Sequence, residues 1–435
     1  MTTSADLIAA LLKRHARRID LSLDRMWHVL GALGDPHKRL PPTIHVAGTN
    51  GKGSTIAFMR AILEASGKRV HVDTSPHLVR YNERIRLGGT LVSDAQLADA
   101  FARCEAANGD HAITIWELMT AAAFLLFAEH PADVLLLEVG LGGRFDATNV
   151  IDKPVASVIT PVSLDHMEFL GETITRIAGE KAGILKRGAP AIFASQSLET
   201  TAVLEAEARR IGAGPVLIGD QDFQTYEENG RLIYQDGAGL LDLPLPRLPG
   251  RHQHLNAGTA IATLRTIFGD ALSTQAISKG LTHVDWPARL QRLTGHTLAN
   301  APKGAEVWLD GGHNQDGGRV LSAAMADMEE KSPRPLIMIV GMLATKDSAA
   351  FLSCFEGLAQ RLYAIGISGQ DASRPARDVA DYATKAGLKA EVATGLAEAL
   401  ATISQSIWVT PPRILITGSL YLAGEVLTFD GTLPT

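Results

Sequence analysis

The segment His45-Val46-Ala47-Gly48-Thr49-Asn50-Gly51-Lys52-Gly53-Ser54-Thr55 constrains this chain more than any other stretch. A β-branched run precedes its glycines and a helical pattern follows from Ser54, so the glycines fall in a strand-to-helix turn. In such a turn, backbone amides rotate toward phosphate oxygens, the helix N-terminus adds partial positive charge, and Lys52 adds a full one. The spacing departs from the strict Walker pattern: Gly48 stands three positions before Gly51 rather than five, and Gly53 separates Lys52 from Ser54. A bare glycine pair reads most simply as a ligand-free βα turn. With a lysine, a hydroxyl and the strand-loop-helix context added, nucleotide binding is the better reading, and it assigns Gly51, Lys52, Gly53 and Ser54 to the phosphates.

The surrounding pattern extends this turn into a fold class. Short β-branched runs at 43–47, 70–73, 134–139 and 156–160 alternate with helical stretches starting near Ser54, Ile115 and Thr173. That alternation predicts a doubly wound, mostly parallel sheet of P-loop type. Residues 222–236 read as a hairpin on its edge, turning at Glu228-Asn229-Gly230, and prolines 244, 246 and 249 lead to a helix near His254. After Trp286-Pro287 the alternation restarts, with strands expected at 306–309, 335–340, 361–367 and 413–417. The expected domains are 1–285, a large ATP-binding α/β domain, and 286–435, a smaller Rossmann-like α/β domain. A length of 435 residues suits two cores better than one.

Charge and cysteine content narrow the partners. With 41 basic and 47 acidic residues, the chain lacks the broad basic footprint of a nucleic-acid binder. The longest apolar run, 121–128, is far short of the roughly 20 residues of a membrane span and reads as a buried helix. The first 20 residues read as an amphipathic helix, not a signal peptide. Cys104 and Cys354 suggest neither a disulfide framework nor a cysteine metal site, which fits a reducing cytoplasm. No nucleic acid and no membrane are expected as partners.

Two further blocks carry chemistry of their own. Glu138 interrupts the apolar run Leu135-Leu136-Leu137 just before Gly140-Leu141-Gly142-Gly143-Arg144. An acid there is costly to bury unless a cation meets it. Magnesium suits a carboxylate shared with phosphate oxygens, and a salt bridge to Arg144 is the plainer alternative. Thr74-Ser75-Pro76-His77 starts where the second strand ends, the edge at which open α/β sheets bind ligands; taken alone, Ser75 reads as a helix cap.

Taken with these blocks, Gly48-Thr49-Asn50-Gly51-Lys52-Gly53-Ser54 resembles the ATP loop of the Mur ligase superfamily, and its flanks resemble the dihydrofolate synthase/folylpolyglutamate synthase branch. The resemblance runs from Ile19-Asp20-Leu21 to Glu425. It implies an ATP-dependent ligase of folate biosynthesis that joins L-glutamate to dihydropteroate and to folylpolyglutamate tails through an acyl phosphate; tail extension alone is the alternative. It further implies ATP with two magnesium ions, Ser75, Glu138 and His166 as metal ligands, and a carbamylated Lys181, so that Lys52, Lys181 and His166 form the catalytic set.

The same resemblance assigns Asn256, Arg289, Asp310 and His313 to ATP. It assigns Ile19, Asp20, Leu21, Thr114, Ile115, Trp116, Glu117, Phe145, Asp146 and Ala147 to the pteroate or folate. Trp116 reads equally as a stacking surface for the pterin or as a core aromatic. Gly312, Gln315 and Thr345 depart from residues common in the family. The expected protein is a monomer acting on small molecules: dihydropteroate or reduced folate, L-glutamate and ATP. Two rivals are a cell-wall Mur ligase, which would carry a further N-terminal domain where only 42 residues precede the first strand here, and a non-ligase P-loop protein.

Overall fold

A computed structural model describes residues 4–15 and 22–435. The chain divides into two compact units, Met1–Arg247 with Gln253–Asp285, and Leu248–His252 with Trp286–Thr435.

The first unit is built on eight strands among the described residues: β1 (Thr43–Ala47), β2 (Val70–Asp73), β3 (Ile85–Leu87), β4 (Thr90–Leu91), β5 (Val134–Glu138), β6 (Ala156–Ile159), β7 (Ala191–Phe193) and β8 (Val216–Ile218). Their order is β4-β3-β2-β5-β1-β6-β7-β8. β2, β5, β1, β6, β7 and β8 run parallel, and β3 and β4 finish one edge antiparallel. β1 and β5 are buried along their whole length, as in a sheet covered on both faces, and so bury Thr43, His45 and Glu138 along with their apolar residues.

Leu135 and Leu137 pack beneath helix Ile115–Glu129, whose alanines and phenylalanines are buried nearly all round. Ala47, Ile159 and Phe193 pack with Leu204 of helix Leu198–Ile211. The helix that follows β1, Lys52–Ala65, lies against β1, β2 and β5. The loops after β1, β2, β5 and β6 therefore leave the sheet along one edge, and β1 sits between β5 and β6.

The expected edge hairpin is corrected. β9 (Phe223–Glu228), β10 (Arg231–Asp236) and β11 (Gly239–Pro244) form a separate three-stranded antiparallel meander. The Asp236 side chain accepts from the Ala238 amide (2.9 Å) and turns the chain a second time at Asp236-Gly237, which adds the third strand. Leu232, Tyr234 and Leu243 give this small sheet its own buried face.

The second unit holds β12 (Gln291–Arg292), β13 (Glu306–Leu309), β14 (Leu336–Val340), β15 (Ala359–Ala364), β16 (Ala390–Val392) and β17 (Arg413–Thr417), in the order β12-β13-β17-β14-β15-β16. Only β12 is antiparallel to its neighbour. Met338, Val340, Leu362 and Leu415 pack with Phe351, Phe355 and Leu321. Both units are doubly wound α/β folds.

Candidate active site

The loop from β1 to helix Lys52–Ala65 is shaped by two glycines. Gly48 (φ +149°) leaves no room for a side chain, because a Cβ there would collide with the Thr160 hydroxyl. Gly51 (φ +86°) caps the helix, and a Cβ on it would lie 2.5 Å from the Asn256 amide oxygen. The amides of Thr49 and Asn50 both donate to Pro161 O (2.9 and 3.2 Å), and the Thr49 hydroxyl exchanges bonds with the Ser163 backbone. The loop is thus fastened to the segment after β6, and Asn256 is brought to it from a helix about 200 residues further on.

Two lysine side chains converge on this loop. Lys52 Nζ donates to Gly48 O (3.1 Å) and Thr49 O (3.3 Å), while buried Lys181 donates to the same Gly48 oxygen (2.9 Å). Burial, helped by the nearby Lys52 charge, lowers the Lys181 pKa from 10.5 to about 7. Glu138, buried at the end of β5, stands 3.9 Å from Lys52 Nζ and accepts from the Ser75 amide (3.4 Å). Arg144 instead faces Glu207 (3.1 Å) and Glu180 (3.7 Å), so the Arg144 alternative for Glu138 is not adopted.

A hard divalent cation fits this corner by the chemistry of its donors. Glu138 and the Ser75 hydroxyl supply oxygens only, and the acid side chains nearby already repel one another. Burial, with the charges of Glu138 and Asp146, raises Asp73 to about 8 against the opposing pull of Arg84. Burial raises Asp146 as well, although its oxygens accept from Leu141 N (2.9 Å) and Thr148 N (3.0 Å). Among the described residues, no three His, Cys, Asp or Glu side chains gather to hold a metal by themselves. His166 lies exposed on the loop after β6, in left-handed backbone (φ +51°).

A buried relay missed at the sequence level supports Asp146. The Thr148 hydroxyl donates to Asp146 Oδ1 and sits 2.9 Å from His45 Nε2, which therefore donates to Thr148. Full burial lowers His45 to about 3 and keeps the ring neutral. His45 is a β1 residue on the strand that carries the phosphate loop, so one strand sets both the loop and Asp146.

The residues tied by resemblance to the pteroate separate into three kinds. Trp116 is 41% and Phe145 43% exposed, and the Arg84 guanidinium lies over the Trp116 ring at 5.8 Å. Ile115 is a core residue, and Ala147 packs against the same cluster. Thr114 and Glu117 form a capping box at the start of helix Ile115–Glu129: the Glu117 carboxylate accepts from the Thr114 amide and hydroxyl (both 2.8 Å) and pairs with Arg25 Nε (2.9 Å). The T-x-x-E signature ahead of an apolar run announces this cap in the sequence. Thr114→Ala is expected to cost about 1–2 kcal/mol of stability and to leave the KM for the acceptor within about twofold; urea unfolding and initial rates check both. Ile19, Asp20 and Leu21 lie outside the described residues.

In the second unit, Asp310 and His313 follow β13, and His313 Nδ1 is 2.8 Å from Gly311 O. Asn314 caps helix Gln315–Lys331 by accepting from Gly317 N (2.8 Å). Gln315 occupies the first helical position, where a proline is favoured but not required. A Cβ on Gly312 would press on Leu321 (2.7 Å), so the glycine here goes with the close approach of that helix.

A strand-loop-helix phosphate cradle, an acid at the next strand end and a second α/β unit define an ATP-dependent ligase of the Mur type. Residues 46–264 match the Mur ligase middle domain, and residues 289–420 match the glutamate ligase domain of Mur ligases. The folylpolyglutamate synthase of Lacticaseibacillus casei is 35% identical, covering 92% of each chain. The dihydrofolate synthase/folylpolyglutamate synthase of Mycobacterium tuberculosis is also 35% identical, covering 96% of this chain and 91% of its own. Among solved structures, Escherichia coli FolC in complex with DHPP and ADP superposes with a TM-score of 0.87 at 31% identity, covering 98% and 97% of the two chains. The bifunctional Yersinia pestis enzyme complexed with AMPPNP and a Mn ion gives 0.86 at 32% identity, covering 98% of each. The chain belongs to the dihydrofolate synthase/folylpolyglutamate synthase family of Mur ligases.

Proposed function

We propose that this chain is an ATP-dependent ligase that joins the α-amino group of L-glutamate to dihydropteroate, and to the tail carboxylate of reduced folates. One observation carries the reading: two lysines donate to one carbonyl oxygen of a glycine loop, with a buried carboxylate 3.9 Å from the first. Lys52 is the cation that a polyanion would join there, and the acid beside it marks a place for a cation carried with that polyanion.

The acceptor carboxylate attacks the γ-phosphorus of ATP, the bond to the bridging oxygen breaks, and ADP leaves an acyl phosphate. The glutamate amine, having lost its proton, attacks the acyl carbonyl, and phosphate departs with the C–O bonding pair. Lys52 and the amides at the start of its helix hold charge that builds on the transferring group. Asn256, which lies against Gly51, and Arg289 of the second unit are assigned to ATP, to the base and to the phosphates respectively. Glu138 and Ser75 would hold magnesium, with His166 assigned to a second ion; bound there, the metal neutralises phosphate charge. Trp116 and Phe145 offer exposed rings for a pterin.

A divalent metal and a nucleotide occupy the Yersinia pestis relative, and DHPP and ADP the Escherichia coli one, which supports the same ligands here. No helix among the described residues is long and apolar enough to cross a membrane, and two unpaired cysteines suit a reducing cytoplasm. The test is ADP release with dihydropteroate and with tetrahydrofolate as alternative acceptors. Release that requires L-glutamate and proceeds with either acceptor is the expected result. Release indifferent to glutamate and acceptor would overturn the ligase, and failure with dihydropteroate alone would reduce it to a tail-extending enzyme.

A further inference from the structure

Arg144 takes no part in the chemistry set out above, yet it fastens the loop after β5 to the helix that ends in Lys181. Backbone meets backbone at this seam, with no side chain between. A Cβ on Gly143 would lie 2.7 Å from Glu180 O and 3.0 Å from Lys181 Cα, and one on Gly183 would lie 2.5 Å from Arg144 Cα. The Arg144 amide donates to Glu180 O (2.9 Å). The Asn149 side chain donates to Arg144 O (2.9 Å) and to Gly183 O (3.1 Å), which joins the same two segments again.

The arginine side chain extends the seam to a second helix. Its Nη2 donates to Gly179 O (3.1 Å), in the last turn of helix Ile174–Lys181, where a cation complements the helix dipole. The same nitrogen donates to Glu207 Oε1 (3.1 Å) of helix Leu198–Ile211, and Glu180 Oε1 lies 3.7 Å from Arg144 Nε. Bonds from Arg210 and from Arg144 lower Glu207 to about 2 against the opposite pull of burial, so it remains an anion for the guanidinium to hold.

We infer that Arg144 is a positioning residue: it fixes where helix Ile174–Lys181 ends, hence where Lys181 meets Gly48, and it acts on the reaction through that lysine. The inference rests on the reading of Lys181 as part of the catalytic set. Lys181 is the last residue of its helix, and its Nζ bonds to Gly48 O (2.9 Å), so a shift of the helix end moves the amine directly. Misplacement by about 1 Å can cost up to about a hundredfold in rate. The loop that carries Arg144 starts one residue beyond Glu138, so one arginine ties the strand of the buried acid to the helix of the lysine.

The test is a double-mutant cycle in the full-length chain, with kcat and the KM values for ATP and acceptor measured for Arg144→Ala, Lys181→Ala and the pair. Thermal unfolding is followed for each, and the Lys181 carbamate is observed by NMR under carbon-13 bicarbonate. Arg144→Ala is expected to lower kcat about thirtyfold, to leave both KM values within about threefold, and to weaken the carbamate resonance about threefold or more. The pair should fall within about threefold of Lys181→Ala alone, because no lysine is left to place. Losses that multiply, or raised KM values beside an undiminished carbamate resonance, would overturn the positioning role and make Arg144 a support of the fold at large. Lys181→Ala with full activity would overturn instead the catalytic reading beneath it. Glu207→Gln, which frees the guanidinium at one point only, repeats the cycle should Arg144→Ala not fold: a loss of several-fold that vanishes in the Lys181→Ala background supports the role, and a loss that persists there overturns it.

Discussion

Replacing Lys52 with methionine is expected to lower kcat for ligation about a thousandfold while the KM for the folate acceptor stays within a few-fold. Removing one aligned charge from a transition state usually costs a hundred- to a thousandfold, and Lys52 is bound to the loop that would hold the phosphates, at Gly48 and Thr49. Arginine is expected to rescue little: its planar, branched head does not fit where one small ammonium donates to two neighbouring carbonyls. The fold should survive. Loss of Lys52 relieves repulsion of Lys181 but removes a cation from Glu138, and these effects oppose one another. Initial rates with ATP varied, beside a thermal unfolding curve, check the prediction; a kcat within tenfold of the parent would remove Lys52 from the phosphates.

How far such a site can be seen in sequence depends on how local its cause is. Gly48, Gly51 and Lys52 were legible because a strand-to-helix turn over phosphate makes its demands within seven residues. Glu138 was legible because an acid in an apolar strand is a local contradiction, and the structure places it beside Lys52. Asn256 meets Gly51 only through the fold; no spacing in the chain predicts it, and only family resemblance singled it out. His45 and Thr148 were passed over because a histidine in a β-branched run and a threonine in a loop each read as ordinary until the sheet joins them. Thr114 and Glu117, assigned to the pteroate by resemblance, also carry a local signal of their own, a helix cap, and the structure gives them that task. The left-handed backbone on either side of Arg289, at Ala288 and Leu290, left no trace at all, since alanine and leucine do not advertise positive φ. The strand order β4-β3-β2-β5-β1-β6-β7-β8 was equally silent, although the alternation of elements already required a doubly wound sheet.

Lys181 yields the second large effect, and its sign with pH follows from burial. An ordinary lysine near pH 8 is well under about one per cent neutral; one lowered to about 7 is roughly nine-tenths neutral. Only the neutral amine adds carbon dioxide, forming an N–C bond and releasing a proton, to leave a carbamate anion where an ammonium stood. Enzyme stripped of carbon dioxide at low pH should therefore regain activity with bicarbonate as pH rises through about 7, and should fail to regain it well below. Lys181→Ala is expected to lose about a thousandfold in kcat and to recover part of it with short carboxylates, which return an anion to the cavity.

Stability carries the same sign. The unfolded lysine keeps its proton to about 10.5 and the folded one releases it near 7, so between those values the unfolded state binds more protons, and the unmodified protein gains stability as pH rises. Lys181→Met should flatten that rise. A fully active Lys181→Ala, or reactivation by bicarbonate that is indifferent to pH, would leave Lys181 as a structural clamp on Gly48 and nothing more.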